Sequence, residues 1–199
     1  VALVEGDTMF RKAMAIGIAG LGWAGLIGPA DAAISVLNGT MANSCYQAAE
    51  YGGASVEGIR LCTLALGESV LSTRDRAATY INLGIIRARN NDSEGALESY
   101  NQGLRIDPSL GEGYVDRGAV QITLKNYQAA IADITKGIEL NANEPEIAYY
   151  DRAIANEAVG NIRDAYIDYK KAVEISPDFA LAKDQLSRFK VVRKPTGGA

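Results

Sequence analysis

The amino-acid sequence predicts an all-α fold, a stack of antiparallel helix pairs, on three observations. A short pattern returns along the chain as Tyr80-x2-Leu83-Gly84, Tyr114-x2-Arg117-Gly118 and Tyr149-x2-Arg152-Ala153, at offsets of 34 and then 35 residues. Twelve residues after each small residue stands an alanine (Ala96, Ala130, Ala165), and four further on a large apolar or aromatic one (Tyr100, Ile134, Tyr169). Turn-forming pairs fall within each copy, at Asn91-Asp92, Lys125-Asn126 and Gly160-Asn161.

Each copy therefore reads as helix, turn, helix. Gly84, Gly118 and Ala153 let the first helix approach the second, and Ala96, Ala130 and Ala165 do the same from the facing side. Tyr80, Tyr114 and Tyr149 are expected to fill the gaps beyond. Asp92, Asn126 and Asn161 are expected N-caps, because a side-chain oxygen can accept from the free N–H groups of a helix start. Pro108 and Pro177 stop the second helices. One hairpin cannot bury its own apolar face, so the copies must stack.

This pattern resembles the tetratricopeptide repeat family, whose signature is W-x2-L-G-x2-Y, A-x3-F and a closing proline. The resemblance implies a right-handed superhelical stack of antiparallel helix pairs. It covers residues 77–192 as three repeats and a capping helix. The chain departs from the signature at Arg87, Gln121 and Asn156, where tyrosine is usual, and at Gly103 and Gly137, where a second-helix alanine is common. Ala142 stands in place of a proline, and the second copy is one residue longer, at "NANEPE".

The flanks complete the layout. Residues 179–192, "FALAKDQLSRFKVV", read as a capping helix with one wet face, and 193–199 as a flexible tail. Residues 33–76 read as an N-terminal segment carrying a divergent helical hairpin. Within 1–32, Met9-Phe10-Arg11-Lys12 is a basic start, Ala13 to Ile27 is uncharged and apolar, and Ala30-Asp31-Ala32 is a small-residue cleavage site. That order predicts a secretory signal peptide cut after Ala32, with Met9 as the initiator and Val1 to Thr8 upstream of it. The expected location is a periplasm or the cell exterior, with no membrane span left after cleavage. An exported chain meets oxidising conditions. Cys45 and Cys62, the only two cysteines, are then expected to pair, closing a loop of about 18 residues worth roughly 3 kcal/mol.

Composition narrows the function. A net charge of −4 argues against nucleic acid, and the absence of histidine removes imidazole catalysis and His-ligated metals. Gly20-Leu21-Gly22-Trp23-Ala24-Gly25 matches a dinucleotide-binding fingerprint in letters, but no acid follows about 20 residues on and no strand–helix alternation surrounds it. Asn90-x-Asp92-x-Glu94-Gly95 starts like a calcium loop, yet Asn101 stands where the bidentate Glu belongs. No cofactor or metal is expected, and no enzyme. A carboxylate-based hydrolase would need two acids converging in a cleft. Asp116-Arg117 and Asp151-Arg152 read instead as ion pairs between adjacent repeats.

The resemblance implies a binding scaffold in which first helices line a concave groove. By phase that groove is Ala78, Ile81, Asn82, Ile85 and Arg89 in the first copy, Glu112, Val115, Ala119, Ile122 and Thr123 in the second, and Ile147, Tyr150, Ile154 and Glu157 in the third. Some family members hold a partner's terminal carboxylate with Lys and Asn. Here Ile81 and Val115 replace the lysines and Ile85 and Ala119 the asparagines, so no such clamp is expected. An apolar peptide or protein partner suits the surface. The competing expectation is a groove covered from within, by residues 33–44 or the tail, or by a second copy in a homo-oligomer.

Overall fold

A computed structural model describes residues 2–5, 33–34, 40–52 and 54–193. The expected signal segment from Met9 to Ala32, and with it the glycine fingerprint, lies outside the described residues, as does 194–199. The chain divides into two compact units. One holds the described residues from 33 to 144; the other holds those from 145 onward together with 2–5.

The first unit contains three helix pairs. They are α1 (Thr40–Tyr51) with α2 (Val56–Leu66), α3 (Thr73–Arg89) with α4 (Ser93–Ile106), and α5 (Gly111–Thr123) with α6 (Tyr127–Glu139). Three helix starts are capped by a side-chain oxygen: Ser55 accepts from the Gly58 N–H, Ser72 from Asp75 and Asp92 from Gly95. Asn126 and Asn161 occupy cap positions but make no side-chain cap bond. The Asn161 amide donates instead to Asn156 at 3.2 Å. The turns close as expected. Asn91, Lys125 and Gly160 take left-handed φ of 61°, 62° and 86°. The next N–H then reaches back to the helix, Asp92 to the Arg87 carbonyl at 2.9 Å and Asn126 to Gln121 at 2.8 Å.

What the small residues receive differs from expectation. Tyr80, Tyr114 and Tyr149 are only half-buried, while Tyr100, Ile134 and Tyr169 are fully buried. A Cβ on Gly84 would stand 2.5 Å from Tyr100 Cε1, and one on Gly118 2.5 Å from Ile134 Cγ1. The second-helix residue is thus the knob and the first-helix glycine the hole. Gly103 and Gly137 answer the opposite need. Their missing Cβ atoms would lie 2.7 Å from Ile81 Cδ1 and 2.4 Å from Val115 Cγ2. A bulky β-branched residue on the first helix therefore requires glycine, not alanine, on the second.

Cys45 and Cys62 form a disulfide between α1 and α2, with S–S 2.07 Å and Cα–Cα 4.6 Å, and both are buried. They join one core with Ala49, Ile81, Ile85, Ile86 and Tyr100. The bridge ties the two helices of the outer hairpin together, and its sulfurs lie in the core that the hairpin shares with the next repeat.

The second unit contains α7 (Pro145–Ala158), α8 (Ile162–Ile175) and α9 (Ala180–Ser187). Tyr150 lies 5.0 Å from the Phe179 ring and 5.7 Å from Tyr169, and Tyr169 lies 5.8 Å from Phe189. The capping helix is shorter than the expected 179–192. After Ser187 the β-branched run Lys190–Arg193 becomes strand β2, antiparallel to β1 (Ala2–Glu5), with Ala2 opposite Arg193 and Glu5 opposite Lys190. Arg193 is thus paired rather than the start of a tail.

The knob-and-hole pairing fixes a sign. Gly84→Ala destabilises the native protein by about 1–3 kcal/mol through overpacking. In a Tyr100→Ala background the same change stabilises by up to about 1 kcal/mol, because only helix propensity remains. Urea unfolding of the four proteins of this cycle measures both.

Candidate functional site

The candidate site is the face of the first helices in the repeats. Helix phase brings Asn82, Asp116 and Asp151 to equivalent positions, one in each copy, and all three are buried. Their neighbours on the expected groove are buried as well. Ile81 is wedged against Gly103 and Gly113, and Val115 against Gly137. Ile85 belongs to the core with α1 and α2. Ala119, Ile122 and Tyr150 are also in the core set. Side chains read as lining an open groove are therefore interior packing, since the small residues opposite them draw them inward.

The remaining groove residues are already bonded or half-buried. Arg89 donates to the Ala49 carbonyl of α1. Glu157 accepts two bonds from Arg188, at 2.9 and 2.7 Å, and one from the Tyr169 hydroxyl at 3.3 Å. Ile154 is half-buried against the Tyr150–Tyr169 cluster.

Asn82 makes the most informative contact. Its Oδ1 accepts from the Ile34 N–H at 2.9 Å, and its Nδ2 donates to the Ile34 carbonyl at 2.8 Å. One amide thus satisfies both main-chain groups of one residue, 48 positions away. The Ile34 side chain packs against the cluster of Ala42, Ala65, Leu71 and Ala78. Residues 33–34 therefore lie against this part of the first-helix face. No local periodicity signals that contact, because both partners are ordinary in composition.

Two ion pairs join the helices of one repeat, where pairs between adjacent repeats were expected. Arg117 makes a two-pronged bond to Asp133, 2.7 Å on each side, and also reaches Asn101 of the preceding repeat at 2.7 Å. Arg152 grips Asp168 in the same way, at 2.9 and 2.8 Å. Each partner lies sixteen residues downstream, on the second helix of the same repeat. The recurrence of Arg-x15-Asp in two copies is the signal of these ties in the sequence. The departures at Arg87 and Asn156 serve the same purpose. Arg87 donates to Ser99 and to the Gly95 carbonyl, and Asn156 donates to Asp168. Polar residues here tie the two helices of a pair together, and charge-assisted bonds are the stronger kind.

Asp151 is different. It is buried, its Oδ2 finds no hydrogen-bond donor among the described residues, and burial pushes its carboxyl from 3.8 up to about 8. Among the described residues no cluster of Cys, Asp and Glu could hold a metal ion, and no helix is long and apolar enough to cross a membrane. Asp133 and Asp168 are held in ion pairs and Asp92 in a helix cap.

Paired helices nested at small residues, with polar ties across each pair, define a helical-repeat protein. The family model described as "Tetratricopeptide repeat" matches residues 77–110, 111–144 and 147–179, just over half the chain, and the chain belongs to that family. It is similar to serine/threonine-protein phosphatase 5 of Rattus norvegicus, 34% identical over 92 residues, which is 46% of this chain and 18% of the relative. It is also similar to the SGT1 homolog of Oryza sativa subsp. japonica, 32% identical over 100 residues, which is 50% of this chain and 26% of the relative. The chain thus spans only a minor part of these curated relatives.

Among solved structures, MamA 41-end from Desulfovibrio magneticus RS-1 matches with TM-score 0.63 at 19% identity, over 74% of this chain and 82% of that one. The first TPR of Spaghetti (RPAP3), bound to the HSP90 peptide SRMEEVD, matches with TM-score 0.54 at 23% identity, over 56% and 87%. These likenesses establish the fold. The matches fall on tetratricopeptide repeats, which are non-catalytic interaction modules, so the phosphatase name does not transfer.

Asp151 makes stability depend on pH in a definite direction. The folded state holds a proton that the unfolded chain releases near pH 4. Stability therefore falls as pH rises from about 4 to about 8, by up to about 1.4 kcal/mol per unit. Asp151→Asn removes that contribution, so the variant gains on the native protein across this window. Denaturant midpoints at pH 5, 6 and 7 check it.

Proposed function

We propose that this chain is an exported, non-enzymatic scaffold that binds a protein or peptide partner through the first-helix face of its repeats. The observation that carries the reading is membership of the tetratricopeptide family over three consecutive copies. A related fold, the first TPR of RPAP3, holds an HSP90 peptide, which supports peptide binding as the use of such a face. Export is supported by the order of basic, apolar and small residues from Met9 to Ala32 and by the Cys45–Cys62 bridge. The compartment proposed is a periplasm or the cell exterior.

A second reading, a structural or self-associating protein whose face is covered from within, is favoured by the Asn82–Ile34 bonds. The two readings differ in where a partner touches. Photo-crosslinking residues placed at Glu112 and Thr123, on the first-helix face of α5, should yield adducts with another protein in cells. The same probe at Lys136, on α6, should not. Equal labelling from both helices would count against the scaffold reading, and adducts only with this chain itself would favour self-association. N-terminal sequencing of the exported protein should begin at Ala33; a start at Val1 or Met9 would remove the signal-peptide reading.

A further inference from the structure

We propose that strand β2 (Lys190–Arg193) is a docking edge for an extended strand of a partner protein, apolar in its middle and acidic at the end that meets Lys190. The proposal rests on the export reading above. Under that reading Ala2–Glu5 is absent from the exported protein, since it lies ahead of both Met9 and the cut after Ala32. In the full chain it is the strand that pairs with β2, and it runs against α8 as well. Its loss leaves β2 with a row of main-chain N–H and C=O groups and no ladder partner among the described residues. Such an edge is a template for a strand from another chain.

The edge does not depend on β1 for its position. Strand β2 follows α9 closely, and the two residues ahead of it are fastened to the repeat. Arg188 donates two bonds to Glu157 of α7, at 2.9 and 2.7 Å. The Phe189 ring lies 5.9 Å from Tyr166 and 5.8 Å from Tyr169, both of α8. The β-branched Val191 and Val192 favour extended backbone with or without a partner. What the edge accepts is shown by β1, whose register sets Leu3 opposite Val192, Val4 opposite Val191 and Glu5 opposite Lys190. A second copy fits poorly. Two β2 strands in full antiparallel overlap would set Lys190 opposite Arg193 at both ends, and like charges directly opposite destabilise a ladder. An acid at that position gains where a cation loses, so the occupant is a partner strand and not another β2.

The test compares the full chain, its Leu3→Pro plus Val4→Pro variant and the protein purified after export. The probe is a labelled peptide of the sequence of residues 1–7, Val-Ala-Leu-Val-Glu-Gly-Asp, read by fluorescence anisotropy. Successive residues of an antiparallel strand alternate in bonding their neighbour, so two adjacent prolines remove whichever N–H faces β2. The double-proline variant and the exported protein should each bind the peptide at least about tenfold more tightly than the full chain, whose edge is filled. Val191→Pro plus Val192→Pro should abolish that binding. A peptide carrying Glu5→Lys should bind at least about threefold more weakly, and Lys190→Glu in the protein should reverse the preference. Circular dichroism melting checks folding, and the charge swap serves as the readout should the β2 prolines impair it. Equal affinity of the full chain and the double-proline variant, no binding to either, or a preference that Lys190→Glu does not reverse would overturn the proposal. Self-association of the double-proline variant through β2 would assign the edge to a second copy, and would overturn it too. If the exported protein begins at Ala33 and does not bind, the edge falls and the export reading stands. If the variant binds while the exported protein retains Ala2–Glu5, the export reading falls and takes the partner strand with it.

Discussion

Close approach of the two helices in a pair is the constraint on which the rest depends. A full aromatic or branched side chain on one helix enters a space that exists only because the other helix carries no Cβ there. Tyr100 enters at Gly84 and Ile134 at Gly118. In the third copy Ala153 and Tyr169 share one buried cluster. The relation also runs the other way, with Ile81 entering at Gly103 and Val115 at Gly137. Two interlocking contacts per pair set the separation of the axes, and close packing leaves little tolerance for change. Nesting of this kind also settles which residues can face outward. Once Ile81 and Val115 are drawn between helices, they are lost to any groove.

Polar chemistry in this chain follows the same plan. The Arg117–Asp133 and Arg152–Asp168 forks span the two helices of a pair at positions where their side chains are mostly shielded, with exposures of 19% and 13%, and of 18% and 6%. Shielded, two-pronged geometry gives such pairs more weight than exposed ones such as Arg60–Glu57. The first copy has Leu83 and Ser99 at these positions and uses Arg87 to reach Ser99 instead. The copies thus share a purpose with different residues. Asp151 is the exception: a buried carboxyl held protonated by its surroundings.

The outer hairpin shows how an incomplete repeat is kept in place. Helices α1 and α2 lack the tyrosine and glycine pattern of the others, and Tyr51, Val56 and Val70 are largely exposed. The buried disulfide holds them to each other, and they meet α3 closely at Gly58, where a Cβ would lie 3.1 Å from Ile86 Cδ1. Arg89 adds a bond to the Ala49 carbonyl. A covalent link within a small hairpin adds stability where an element buries little apolar surface of its own.

Much was legible in the sequence alone: the three copies, their helix–turn–helix division, the turns at Asn91-Asp92, Lys125-Asn126 and Gly160-Asn161, and the pairing of the only two cysteines. These follow from local rules, since turn chemistry and the spacing of small residues act within a few helical turns. The candidate site was less legible. Phase placed Asn82, Ile85 and Val115 on the first-helix face, but phase cannot say whether a face is open. That was decided by segments far away in the chain: α1 against Ile85, glycines against Ile81 and Val115, and Ile34 against Asn82 across 48 residues. The pairing of Lys190–Arg193 with Ala2–Glu5 was likewise beyond any local pattern. Helical periodicity determines where a side chain stands on its own helix; only the tertiary fold determines what meets it there.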